Sequence, residues 1–155
     1  MPELPLQWRD CVFSSIPNHE NVLAWMLVDL DTELHFDSCI LICTDKALWA
    51  LRAAQHPQSQ AMSWQLNAHR KFKQHDFAGV GSLELVESRA RLALWRYTLK
   101  HQQDALRFAS TVNGVCSTNQ LDNKTITPSR AVSNEGSLRS VLASDQVGLG
   151  DLEPE

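Results

Sequence analysis

Hydrophobic and polar positions change period several times along the 155-residue chain, and each change marks an element. Leu6, Trp8, Val12, Phe13 and Ile16 fall roughly on one helical face ahead of Pro17. They predict a short N-terminal helix over residues 6–16 that rests on the main body. Pro17-Asn18 makes a turn, and Asn21 to Leu30 is apolar and long enough for a mostly buried strand. Asp31-Thr32 breaks it, and Leu34 to Thr44 resumes with β-branched Ile40 and Ile42. Thr44-Asp45-Lys46 reads as a hairpin turn into a strand from Leu48 through about Arg52. A helix over Lys46 to Gln55 (KALWALRAAQ) is the competing reading on propensity alone. Tertiary pairing routinely overrides propensity over so few residues, so the strand is preferred.

The second half has the same character. His56-Pro57-Gln58-Ser59 is a loop. Met62, Trp64 and Leu66 alternate with Ser63 and Gln65, the period of a half-buried strand. His69 to His75 alternates as well, and Gly79-Val80-Gly81 makes a turn. Leu83 and Leu85 alternate with Ser82 and Glu84, Glu87-Ser88-Arg89-Ala90 closes a hairpin, and Arg91 to Thr98 returns with Ala93, Trp95 and Tyr97. Ala105, Phe108, Ala109 and Val112 then follow the i, i+3, i+4, i+7 spacing of an amphipathic helix, over about residues 99–113, with Gly114 placed to end it. The expectation is mostly β: a seven-stranded antiparallel sandwich or partial barrel whose open end is plugged by a C-terminal helix.

Composition divides the chain near Gly114. Every Trp, Phe and Tyr lies at or before Phe108, and Val115 to Glu155 is rich in Ser, Thr, Asn, Gly and Asp. Such a stretch buries too little apolar area to offset its ordering entropy. Residues 1–114 are therefore read as one domain and 115–155 as a disordered tail or linker, within which Ser137 to Ala143 is too short to hold a helical turn alone. With 14 Lys and Arg against 18 Asp and Glu the formal charge is −4, which argues against a generally basic nucleic-acid binder. The longest apolar run, Val22 to Val28, is seven residues; a membrane helix needs about 20. The first sixteen residues mix charges into the apolar positions and do not form a signal peptide. Cys11, Cys39, Cys43 and Cys116 lack framework spacing and read as reduced thiols of a cytoplasmic protein.

Candidate chemistry is sparse. Cys39 and Cys43 suggest half a metal site, but four residues apart on a strand they are about 13 Å apart. That is too far for a disulfide or one tetrahedral zinc, so they read as buried structural thiols and no metal site is expected. His69, Lys71, Lys73 and His75 alternate onto one strand face as a basic stripe about 20 Å long. It is either a solvated face that discourages edge association or a weak, salt-sensitive phosphate site. Gly79-Val80-Gly81 lacks the third glycine and following helix of a dinucleotide loop. No G-x-S-x-G, H-E-x-x-H or deaminase pattern occurs, and His19-Glu20 is only the first two residues of a zincin motif. Trp25, Trp49, Trp64 and Trp95 lie on expected strands as core or as groove anchors.

Two stretches resemble a known family. CILICTDKALWAL (Cys39 to Leu51) is similar to the strand–turn–strand signature of bacterial pleckstrin-homology-like domains, with Thr44, Asp45 and Lys46 matching. Cys43 replaces the usual Leu, and Ala47 stands where Arg is common. FAGVGSLELVESRARLALWRYT (Phe77 to Thr98) resembles that family's last two strands before its helix. Together with Asp29-Leu30-Asp31 after the first strand, these motifs look like the cytoplasmic N-terminal segment ahead of the membrane helices in some bacterial ABC-type exporters. The family match covers roughly residues 20 to 113.

The resemblance implies a non-catalytic binding or regulatory module with no cofactor. It would act at the inner face of the cell membrane, with the rest of a transporter or another protein segment as partner. Neither a Walker A motif nor a membrane span occurs in this chain, so ATP hydrolysis would lie elsewhere. One alternative is a free-standing phosphate- or lipid-headgroup-binding domain that uses Arg70, Lys71 and Lys73. The other is a small thiol or metal enzyme that uses Cys39, Cys43 and a histidine.

Overall fold

Every residue from Cys39 to Thr44 is buried, odd and even positions alike. An alternating strand would bury only one side; a continuous buried run requires cover on both faces of the sheet. The computed structural model, which describes residues 3–53 and 61–122, shows what supplies that cover. The elements are α1 (Leu6–Ser15), β1 (Val22–Leu30), β2 (Phe36–Thr44), β3 (Ala47–Arg52), β4 (Met62–Gln65), β5 (Arg70–Phe77), β6 (Val80–Glu87), β7 (Ala90–Thr98), a 3-10 turn at Leu99–His101 and α2 (Gln102–Asp122). The strands form one antiparallel sheet in the order β4-β3-β2-β1-β7-β6-β5. β1 meets β7 through one paired position, Leu30 with Arg96, so the sheet consists of two halves joined at a narrow seam.

The inner faces of both halves share a core with α2. Met26, Leu41, Leu48, Phe72, Leu83, Leu85 and Tyr97 pack against Ala105, Phe108, Ala109, Val112 and Cys116. Trp64 and Trp95 join this core edge to face, with ring centroids 5.3 Å apart, and Phe72 reaches both Trp95 and Phe108. A second core lies on the outer face of the first half, where Leu4, Trp8, Val12 and Ile16 cover Val22, Ile40, Ile42 and Leu51. Among the described residues, no such helix covers the outer face of β5–β7. The mostly β architecture with a short N-terminal helix and a capping C-terminal helix is thus the one the periodicity predicts.

Four details differ from expectation. In α1 the buried residues are Trp8 and Val12, flanked by buried Leu4 and Ile16 just outside the helix, whereas Leu6 and Phe13 are 78% and 60% exposed. At 100° per residue, Leu6 and Phe13 share a stripe opposite the buried one, so two stripes had been merged into one face. In the Gly79-Val80-Gly81 motif only Gly79 belongs to the turn, with φ +87°; Val80 and Gly81 are already in β6. Gly81 is needed because a Cβ there would run into the Tyr97 ring. The capping helix does not stop at Gly114. It continues to Asp122, because Cys116 extends the buried stripe of Val112 by one more turn and a glycine with open space around it tolerates the helix. The expected tail therefore begins later than Val115. The His56–Ser59 loop and the stretch from residue 123, including Ser137 to Ala143, lie outside the described residues.

Candidate functional site

The residues that carry the family resemblance turn out to hold the fold together. Thr44, fully buried, accepts the Ala47 amide (2.9 Å) and Lys46 amide (3.2 Å) on its hydroxyl. It donates to Glu20 Oε2 at 2.7 Å, and Trp49 Nε1 donates to the same oxygen at 3.0 Å. Asp45 accepts the Asn21 amide at 2.9 Å and returns its own amide to Asn21 O at 3.0 Å. The Thr-Asp-Lys turn is a tied hairpin, and Glu20, which sequence reading met only as a truncated zincin motif, is its anchor. A Thr-Asp-Lys turn with a Trp three residues beyond Lys46 carries a need for such an acceptor, but nothing local says where that acceptor lies.

Asp29 and Asp31 are equally structural. Asp29 accepts the Thr98 amide at 2.8 Å and the Thr98 hydroxyl at 2.6 Å, with Lys100 at 3.1 Å and His101 Nε2 at 3.7 Å. Burial pushes its carboxyl pKa up, but the Thr98 hydroxyl and amide, Lys100 and His101 outweigh that and hold it below 3.8. Asp31 caps the β1–β2 turn by accepting the Glu33 and His35 amides at 2.8 and 2.9 Å. The His35 amide bond is the main cause of its lowered pKa.

The thiols are core. Cys39 and Cys43 lie on β2 as expected, and burial raises each to about 12; Cys43 also feels the neighbouring Cys116. Thiols in that state stay protonated at neutral pH and are poor nucleophiles and ligands. Among the described residues no group of three or more His, Cys, Asp or Glu is placed to share a metal ion. Among the described residues, too, no helix is long and apolar enough to cross a membrane.

Strand β5 separates the three basic candidates by alternation. Lys71 and Lys73 are exposed on the outer face, with His75 beyond them. Arg70 points to the other side, where Nε donates to Glu87 Oε1 at 2.9 Å and Nη1 donates to the Gln65 carbonyl. All three border a hollow of about 280 Å³ between β5 and α2, completed by Ala68, Phe72, Asn113, Cys116 and Ser117. Asn113 closes the strand edge there: it accepts the Phe72 amide at 2.8 Å and donates to the Phe72 carbonyl at 2.9 Å. Another hollow, about 850 Å³, opens between the β2–β3 turn and α2, with Leu23, Lys46, Asn67 and Gly114 on its walls.

Cross-strand register reveals what the single-strand reading missed. Directly paired residues share a face. On β5, β6 and β7 the outer rows are Lys71–Val86–Arg91, Lys73–Glu84–Leu94, His75–Ser82–Arg96 and Phe77–Val80–Thr98. A register shift between Leu85 and Val86 brings Arg91 into this set. Four cations thus face one carboxylate, Glu84, which accepts from Arg91 Nη1 at 3.1 Å. The result is a face of +3 on a chain of −4. No family model, curated protein or solved structure matches this chain.

Proposed function

We propose that this chain is a non-catalytic, pleckstrin-homology-like binding module that serves as the cytoplasmic N-terminal accessory domain of an ABC-type exporter. The observation that carries the reading is the chain order, seven antiparallel strands followed by a helix that plugs the open end of the sheet. The resembling motifs support it by their roles: Thr44 and Asp45 tie one hairpin, Asp29 ties the end of β1 to the end of β7, Asp31 caps the β1–β2 turn, and Gly81 admits Tyr97. In such a module the rigid sheet presents a surface to the remainder of the transporter at the inner face of the membrane. ATP hydrolysis belongs to other parts of that assembly.

The coding sequence beyond the Glu155 codon tests the exporter assignment. An open frame running into several apolar spans of about 20 residues and a Walker A motif is the expected result. A stop codon directly after Glu155 overturns it.

A second reading is favoured by one observation, the hollow that Arg70, Lys71 and Lys73 share. It assigns a phosphate or lipid headgroup to that space. Sedimentation with anionic vesicles at low and high salt tests it, since an electrostatic contact with headgroups weakens as salt rises. Arg70 already donates to Glu87 and Gln65, which among the described residues leaves Lys71 and Lys73 as the unpaired cations of that hollow. This reading is therefore the weaker of the two.

A further inference from the structure

We propose that the outer face of β5–β7 docks an acidic segment of another protein, with a carboxylate of that segment bound by Arg96 and an adjacent apolar side chain held between Leu34 and Phe77. A hollow of about 420 Å³ lies on this face, bordered by Leu34, Phe77, Val80, Leu94, Arg91 and Arg96. Arg96 is half-buried in it, and among the described residues no hydrogen bond or ion pair reaches its guanidinium. A guanidinium partly removed from water and unpaired is poised for a carboxylate, which its planar fork binds through two parallel hydrogen bonds.

The apolar frame is as unusual as the charge. Phe77 is 85% exposed and Leu34 47%. Leu34 also holds φ +69°, a left-handed backbone that disfavours a branched apolar side chain. Neither burial nor turn preference accounts for a leucine there, and strain of this kind clusters at binding surfaces. The other half of the sheet has its outer face covered by α1; among the described residues no helix covers this half. Its excess of three positive charges on an acidic chain is complementary to an acidic partner.

A protein segment fits better than a membrane. A headgroup plane meets the most projecting side chains, whereas Arg96 is half-buried in a hollow it shares with Ser82, Glu84 and Leu94. A planar anionic surface also feels the whole molecule's net negative charge, while a single segment feels chiefly the face it touches. The inference rests on the binding-module reading but not on the exporter assignment, which the downstream coding sequence tests separately.

The experiment is a titration of the nitrogen-labelled full chain, followed by two-dimensional spectra. The probe is a synthetic peptide, acetyl-Gly-Leu-Glu-Phe-Glu-Gly-amide, alongside a twin in which both Glu are Gln. The acidic peptide is expected to shift the Ser82, Leu94 and Arg96 amide signals and the Arg96 Nε–H signal. Arg96→Gln, with spectral dispersion retained, is expected to weaken binding about tenfold or more, since the two charge-assisted hydrogen bonds of the fork are replaced by at most one neutral one. Arg96→Lys retains the charge and recovers part of it. Leu34→Gly relaxes the turn and keeps the fold, yet weakens the acidic peptide several-fold. Equal binding of the Gln twin overturns the proposal, as does an unchanged affinity in Arg96→Gln. So does an absence of peptide shifts, with or without Arg96-dependent binding to phosphatidylserine vesicles.

Discussion

A handful of side chains decide this structure by making contacts that no neighbour in sequence can replace. Asp29 binds the end of β7 and the turn that launches α2 through Thr98, Lys100 and His101. Because its folded pKa lies below 3.8, its contribution to stability is fully present above that value and is lost as pH falls through the lower folded one. Asp29→Asn is expected to lose about 1–3 kcal/mol at neutral pH, with the gap from the wild type narrowing as pH falls below 3.8, as read by urea unfolding midpoints along an acid series. Gly81 acts by what it lacks. Gly81→Ala forces the Tyr97 ring away from its bonds with Asp76 (3.0 Å) and Gln74 (2.8 Å), and should destabilise by about 1–3 kcal/mol in thermal unfolding. Unchanged stability would contradict the packing described. The sequence motif G-V-G was visible; that its two glycines serve different ends was not, because the second depends on a ring sixteen positions away in the chain.

Elements were legible where one period dominates. β6 alternates cleanly and β7 is a β-rich apolar run that ends in Tyr97, and both were predicted within a residue or two. KALWALRAAQ shows tertiary pairing winning over helix propensity: Leu48 to Arg52 pairs with Cys43 to Cys39 on one side, and Ala47 to Ala50 pairs with β4 on the other. A surrounded strand like this gains more from its two ladders than a single short helix gains from propensity. The end of α2 was illegible for the opposite reason. Gly114 looks like a stop, but Cys116 is buried one turn beyond Val112 and Asn119 donates to the Leu66 carbonyl at 2.8 Å, so packing carries the helix onward. Asn113 is the least predictable feature of that helix, since it stands in for a neighbouring strand at Phe72. Asn113→Ala should cost about 1–3 kcal/mol by leaving both Phe72 backbone groups unpaired, and hydrogen exchange should show faster exchange of the Phe72 amide. Equal protection in the two proteins would contradict that role.

At the scale of the molecule the described part of the sheet is asymmetric: one outer face is sealed by α1, and the other, uncovered among the described residues, is cationic and edged by exposed aromatic and aliphatic side chains. Lys71 and Lys73 could be found by alternation within β5 alone. Arg91 and Arg96 join them only through strand pairing, including the shift at Leu85/Val86, which no single-strand pattern encodes. A competing surface exists on α1, where Leu6 and Phe13 are exposed on the side away from the body. The measurement that separates the two is site-specific photocrosslinking in the source cells, with benzoylphenylalanine in place of Phe77 in one protein and of Phe13 in another, and mass spectrometry of the adducts. The account predicts that the Phe77 position crosslinks to an Asp- and Glu-rich segment, one belonging to a membrane transporter polypeptide, and that Arg96→Gln abolishes the adduct. Crosslinks from the Phe13 position with none from Phe77 would contradict it.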